Sequence, residues 1–236
     1  MKRDVLLLAV TGIWMLIFLF FALIISPPEQ HMGDLVRILY FHVNSAWTAL
    51  LAFFTTFLAS IGYLVRRKPM WDVLAASAAE IGVMFTTFTL ITGSLWGRPV
   101  WNTWWTWDPR LTTTLILWFL YVAYLLLRQT IDGLERRGRV AAVYAIVAFA
   151  DVPIIHESVT WWRSIHPTVI DDSGFHMPAS MTIPLLMGAM AFFLLFGLLL
   201  WLRCRLEWTR LEVLRIREQV RHKEFRPKTL HKGVQV

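Results

Sequence analysis

The chain has 236 residues, 57% hydrophobic and only 17% charged, against about 25% charged in an ordinary soluble domain. That much apolar surface excludes a soluble globular enzyme and a disordered chain alike. A single cysteine, Cys204, excludes a disulfide framework, a cysteine-rich zinc site and an iron–sulfur cluster, and the meaning of the net charge of +7 depends on where the basic residues fall.

Val5–Ser26 is the first apolar stretch. It follows Lys2 and Arg3, exceeds the core of a signal peptide, and runs into Pro27 and Pro28 without a small-residue cleavage site, so it reads as a retained membrane span. Leu35, Ile38, Leu39 and His42 then follow i, i+3, i+4, i+7, which predicts a short amphipathic helix with His42 on its apolar face, just ahead of a second span over Ala46–Val65. A third span covers Trp71–Trp96 and carries Glu80, a costly charge at that depth to which no role is assigned.

Next comes Trp96-Gly-Arg-Pro-Val-Trp-Asn-Thr-Trp-Trp-Thr-Trp-Asp-Pro-Arg110. Gly97 and Pro99 are expected to end the third span. If the segment is helical, Trp101, Trp104 and Trp105 share one face and Asp108 extends it, while Asp108 also suits the N-cap and Pro109 the first position of a fourth span, Leu111–Leu127. A fifth span, Val140–Ile155, contains Asp151 and Pro153; Asp151 receives no role. His156 ends it. In the segment beyond, Trp162, Ile165 and His166 follow i, i+3, i+4, whereas His31 and His176 lie in polar loop sequence and read as solvated. The sixth span is Thr182–Leu202. The tail from Arg203 alternates basic and apolar residues, with Leu206, Val213, Ile216 and Val220 near one helical face, as in a helix lying on an anionic lipid leaflet or docking a soluble partner. The expected architecture is an all-α membrane protein of six transmembrane helices with a tryptophan-rich outer-face loop, residues 1–202 forming the membrane domain and 203–236 a basic cytoplasmic tail.

With the N-terminus placed in the cytoplasm, nineteen Lys and Arg fall on that side and four, Arg37, Arg98, Arg110 and Arg163, on the other. This asymmetry places both termini inside and explains the basic charge without nucleic acid. The tryptophan segment, His42, His156 and His166 then share the outer face, while His222 and His231 lie across the membrane and are excluded as partners of that face.

One or two of these tryptophans would read as an interfacial belt. Five indoles, Trp96, Trp101, Trp104, Trp105 and Trp107, packed beside Arg98 and Arg110 suit a large planar apolar ligand bearing carboxylates. Haem is such a ligand: flat, apolar across its faces, carrying two propionates and taking axial imidazoles at its iron. His42 and His166 lie on apolar faces of that surface, and His156 competes with His166 as the second ligand.

The tryptophan segment resembles the "WWD" signature of a haem-handling superfamily, and most nearly that of the cytochrome c maturation protein C (haem exporter protein C) family. Tyr40-Phe-His-Val-Asn-Ser-Ala-Trp47 and Trp161-Trp-Arg-Ser-Ile-His166 resemble the family's two outward histidine segments. The resemblance covers the chain to about Leu202 and implies a concrete function. Haem b would be bound at the periplasmic face of the bacterial inner membrane, with His42 and His166 as axial ligands, the tryptophans supporting the ring, Arg98, Arg110 and Arg163 near the propionates, and Asp108 fixing the loop. It implies transfer of that haem to a periplasmic chaperone, the E component, in company with the ABC transporter components A and B and the small membrane protein D. The protein would be a binding and transfer component of cytochrome c biogenesis rather than a turnover enzyme. Pro167 stands where the family pattern often has Gln. The alternative is an electron-transferring bis-histidine b-type membrane cytochrome, against which the placement of both histidines outside the spans counts.

Overall fold

A computed structural model describes residues 2–30, 32–171 and 173–224, with the side chains of 215, 218 and 221–224 set aside. Helix α1 (Lys2–Phe20) continues into a π-helical turn, Phe21–Ile25, and stops at Ser26, whose extended backbone leads into Pro27 and Pro28. Helix α2 covers Val36–Arg66 and α3 Pro69–Trp101. Arg67 turns left-handed between them, and Pro69 opens α3 where its missing N–H costs nothing. Helix α4 is Pro109–Thr130, α5 Leu134–Ala148, α6 Asp151–Trp161 and α7 Ala179–Glu224; a small antiparallel hairpin, β1 (Ile170–Asp171) and β2 (Gly174–Phe175), precedes α7. Six of these helical units are long and apolar enough to cross a membrane, α5 and α6 counting together as one.

Four expectations are corrected. Gly97 and Pro99 do not end the third span: α3 runs through both to Trp101 and ends at Asn102, which is left-handed. Proline so close to a helix end sacrifices one backbone bond without breaking the helix. The residues after Asn102 are not helical, so Trp101, Trp104 and Trp105 do not share a helical face. The segment Leu35–His42 is not a separate helix; from Val36 it is the first part of α2 itself. The third histidine-bearing stretch likewise leaves the helix at Trp162, so Trp162, Ile165 and His166 do not form a helical stripe.

The fifth span is broken, and its sequence says why. Pro153 has no N–H to offer Phe149 four residues back, and its ring would strike that carbonyl in a continuous helix. The chain therefore turns at Phe149 and Ala150 and restarts at Asp151, putting Pro153 in a first turn, where proline is tolerated.

The bundle is organised on the α2–α3 pair. Small residues, Ala49, Ala52, Ala59 and Ser60 on α2 and Ala75, Ala76, Ala78, Ala79 and Gly82 on α3, are buried along both, allowing the backbones to approach closely without a water-driven hydrophobic gain. A Cβ at Gly82 would fall onto the Phe53 ring. At the end holding the α2–α3 turn, Arg128 makes a two-pronged pair with Asp72 at 2.6 and 2.9 Å. Glu80 pairs with Arg203, whose Nη2 donates to Oε1 at 2.6 Å. Thus the charge within the third span is neutralised by the first cation of the tail. Helix α7 is uninterrupted across Leu202 and Arg203; Leu206, Val213, Ile216 and Val220 are exposed on its extension.

Candidate functional site

At the opposite end of the bundle, α2, α3, α4 and α6 surround a cavity of about 260 Å³, closed over by the tryptophan loop and by the segment between α6 and the hairpin. Its wall is mainly apolar, from Val43, Ala46 and Leu50 of α2 to Leu111 and Leu117 of α4 and Ile155 of α6, with His42 and His166 both facing it.

The two imidazoles are brought together from residues 124 apart in sequence: their ring centroids lie 6.3 Å apart, with planes inclined by 34°. A metal–imidazole bond is about 2 Å long and a ring centre lies about 1.1 Å behind its nitrogen, so two imidazoles on opposite sides of one ion stand roughly 6 Å apart. The tautomers fit as well. His42 Nδ1 is 3.1 Å from both the Thr89 carbonyl and Thr92 Oγ1. The Thr92 hydroxyl spends its proton on the Phe88 carbonyl at 2.8 Å, so both neighbours accept and His42 Nδ1 must donate. His166 Nδ1 donates to the Pro167 carbonyl at 3.0 Å. In each ring the lone pair is left on Nε2, which has no hydrogen-bond partner among the described residues. Fixing one ring nitrogen to a carbonyl is how proteins orient a ligating histidine. Burial, and then the nearby positive charge of Arg110, push His166 down to about 4, so it is neutral at physiological pH. Gly93 lets α3 pass close to His42: a Cβ there would lie 3.0 Å from the imidazole Cε1.

Trp96, Trp101 and Trp105 line the cavity, Trp96 and Trp101 meeting edge to face at 5.2 Å. The Nε1 groups of Trp96 and Trp105 and the Nε of Arg110 are buried without partners among the described residues. Arg110 lines the cavity, and among the described residues its side chain makes only a long 3.5 Å bond to the His156 carbonyl, with no carboxylate paired to it. Buried donors of this kind are costly unless something accepts from them. Trp104, Trp107, Arg98 and Arg163 are not brought to the cavity wall. Trp104 and Trp107 are exposed, Arg163 also, and Arg98 is tied to the Asn102 carbonyl and Oδ1, each at 2.7 Å.

Asp108 does more than cap α4. Its Oδ1 accepts from Arg110 N at 2.9 Å, as an N-cap should. Its Oδ2 also accepts from Ser164 Oγ and from Ile165 N, both at 2.8 Å. Ser164 Oγ in turn accepts from His166 N at 3.1 Å. The buried carboxylate therefore staples the tryptophan loop to the segment bearing His166. Ser164, Thr89 and Thr92 were not singled out from sequence; two isolated hydroxyls and a backbone carbonyl, 56, 50 and 47 positions from their partners, leave no local signal.

His156 lines the cavity although its side chain is largely exposed. His176 pairs with Asp171 at 2.6 Å on the hairpin, and hydrogen bonds from Ser173 and His176 hold the Asp171 carboxyl down at about 2. His31 and the side chains of His222 and His231 lie outside the described residues. Asp151 is buried with Oδ2 unpartnered among the described residues.

Residues 2–219 match the family model described as "Heme exporter protein C". The chain is 42% identical over 174 residues to the heme exporter protein C of Bradyrhizobium diazoefficiens, covering 73% of this chain and 66% of that protein. It is 38% identical over 141 residues to the heme exporter protein C of Escherichia coli, covering 60% and 58% respectively. To a ccmC-like mitochondrial protein of Marchantia polymorpha, named for cytochrome c biosynthesis, it is 36% identical over 182 residues, 77% of each chain.

Proposed function

The chain belongs to the heme exporter protein C family, and we propose that it holds haem b at the outer end of its bundle and passes it to a periplasmic haem chaperone, the E component, during cytochrome c biogenesis. The observation that carries this reading is the pair of neutral imidazoles 6.3 Å apart, lone pairs free, across an apolar aromatic cavity. The site's chemistry fits the cargo group by group. His42 and His166 would ligate the iron from its two sides. Trp96, Trp101 and Trp105 would pack on the macrocycle, and a propionate would take the unpaired donors of Arg110 and the indoles. Arg98 and Arg163, at the same end, would meet whatever carboxylate projects beyond the wall.

The cavity is smaller than the range of about 300–1,000 Å³ usual for ligand pockets. Part of a tetrapyrrole would remain outside it, which suits a component that must give its ligand away. Trp104, Trp107, Trp161 and Trp162 are exposed by 58, 76, 60 and 50% at this end, an apolar surface of the kind a docking chaperone would cover. The skew of basic residues supports a bacterial inner-membrane orientation with both termini cytoplasmic and the site periplasmic. Components A, B and D are the proposed assembly partners.

The test is the visible spectrum of protein purified from haem-replete cells. A Soret band is expected, shifted or lost in His42→Ala and in His166→Ala and retained in His156→Ala; a spectrum indifferent to His42 and His166 refutes the assignment. One observation favours the b-type cytochrome as a second reading: His42 lies within α2, a membrane-spanning helix, and not outside the spans as its sequence context indicates. Rapid reversible reduction by a quinol, with no transfer of haem to the chaperone, would select it.

A further inference from the structure

The cavity has four helical walls but only three closed seams. Helices α2 and α3 pack along their lengths, α3 packs on α4, and α4 packs on α6. The fourth seam, between α6 and α2, has no comparable packing; the fifth span meets α2 through α5, below the break at Phe149 and Ala150. Phe149 closes the bottom of that seam, stacking on Phe57 at 4.4 Å and reaching Phe54 at 5.9 Å. Leu50 is seven residues before Phe57 and four before Phe54, so it lies on the same face of α2. Followed upward, this face runs through Leu50, Trp47, Ala46 and Val43. There it lines the cavity instead of a neighbouring helix. The segments that border the gap, Val43–Leu50 and Asp151–Trp161, both belong to membrane-spanning helices.

The geometry points to a lateral portal between α2 and α6, through which a flat apolar tetrapyrrole enters the site edge-first from the hydrocarbon layer. This rests on the haem-binding reading above and adds its route of entry. The chemistry of the opening selects the occupant. The opening is mainly apolar: Val43, Ala46 and Leu50 on one side and Ile155 on the other offer no hydrogen bond to a polar solute, the indole N–H of Trp47 and the imidazole of His156 being its polar groups, whereas the faces of a porphyrin require none. The portal leads directly to His42, one turn above Ala46 on the same helix. The carboxylate-receiving Arg110 stands on α4, across the cavity, so a molecule entering by its apolar edge would trail its propionates until they swing toward the loop side. The break in the fifth span creates the gap: a straight helix would carry the α5 packing up along α2 and seal it.

The experiment places a thiol at the proposed entrance or at the loop-side rim and asks which one, when made bulky, delays haem. Trp47→Cys and Ile170→Cys are each made in a Cys204→Ser background, labelled with either a methyl or a biphenyl-sized thiol reagent, and reconstituted in lipid nanodiscs; haem loading is followed by the growth of the Soret band. With Trp47→Cys, the bulky adduct is expected to load at least tenfold more slowly than the methyl adduct, whereas the two adducts of Ile170→Cys should load at the same rate. Haem loaded before labelling should be retained with an unchanged spectrum. Equal rates for the two Trp47→Cys adducts, or slowing confined to Ile170→Cys, would place entry on the aqueous side and overturn the portal. Expulsion of preloaded haem by the Trp47→Cys adduct would put that position inside the site rather than at its entrance, and would also overturn it. Failure of the underlying reading looks different: unlabelled protein would show no Soret band dependent on His42.

Discussion

Replacing Asp108 with Ala should detach the His166-bearing segment of the 162–178 connection without touching the imidazole. Two of the hydrogen bonds lost, from Ser164 Oγ and Ile165 N, are the tether to His166. Bonds to a charged acceptor contribute about 1.5–3 kcal/mol each. The lower figure is apt here because water can reach a loop, which gives about 3 kcal/mol for the pair. If His166 must be reordered before it can bind iron, that cost appears in haem affinity, where 1.4 kcal/mol is tenfold, so a loss of about a hundredfold is expected. Asp108→Asn keeps a neutral acceptor and should lose about tenfold, the ordinary difference between charged and neutral hydrogen bonds. Loss of the α4 cap, about 0.5–2 kcal/mol, is a separate effect on helix stability. Haem titration with detection at the Soret band measures the affinities, and thermal unfolding followed by circular dichroism measures the cap. Added imidazole should restore a six-coordinate spectrum in Asp108→Ala, as it would not if the bundle had merely loosened. Affinity within twofold of the parent protein, with coordination unchanged, would refute the staple as a positioning device.

The pH dependence has a definite sign. His166 is held at about 4 instead of 6.5, so the folded loop binds fewer protons than the unfolded chain between those values. Its stability therefore falls as pH drops through that window, the full loss being reached below about 4. Haem affinity measured by titration of the empty protein should stay level from pH 7 to 5 and begin to fall near 4, as the proton competes for the His166 nitrogen, whereas a fall beginning near 6.5 would mean a solvated imidazole. Arg110 is expected to discriminate carboxylates: the parent protein should bind haem about tenfold or more tightly than haem dimethyl ester, and Arg110→Ala should bind both equally, as measured by competitive titration. An undiminished preference in Arg110→Ala would assign the propionates elsewhere.

Much of this was legible in the sequence because it is written in long-period patterns. Hydropathy located all six spans, and Asp108 followed by Pro109 announced the start of α4, since cap chemistry is local. Helix continuity is less local. Pro99 looks like a terminator, yet it sits within a turn of the helix end, where losing one backbone bond is tolerable, and Asn102 does the terminating. His42 was legible as a histidine on an apolar face but not as a member of α2, because amphipathic and fully apolar helix periods merge without a break. Depth in the bundle also decided which tryptophans and arginines reach the cavity. Trp96, Trp101, Trp105 and Arg110 do, while Trp104, Trp107 and Arg98 do not, and neighbours in one motif cannot be told apart by spacing once the segment leaves helical geometry.

The two ends of the bundle divide the work of stability and function. At the α2–α3 turn end the charged groups are paired: Asp72 with Arg128, Glu80 with Arg203, and Glu207 with Arg203 at 3.4 Å. The first two pairs tie α3 to α4 and α7, the third lies within α7, and breaking one by removing a single partner is costly because the other charge stays behind. At the cavity end the same accounting is left open. Among the described residues the Trp96 and Trp105 indoles and the Arg110 Nε lack acceptors, as the Trp71 indole and Arg137 Nε do at the other end, but here two imidazoles also keep free lone pairs beside a cavity, and α6 and α2 lack comparable packing. A bundle that satisfied those groups internally would be more stable and would have nothing left with which to recognise a ligand. The helix break at Pro153 belongs to the same trade. It forgoes packing between α6 and α2, and the space so released is the space into which His42 faces.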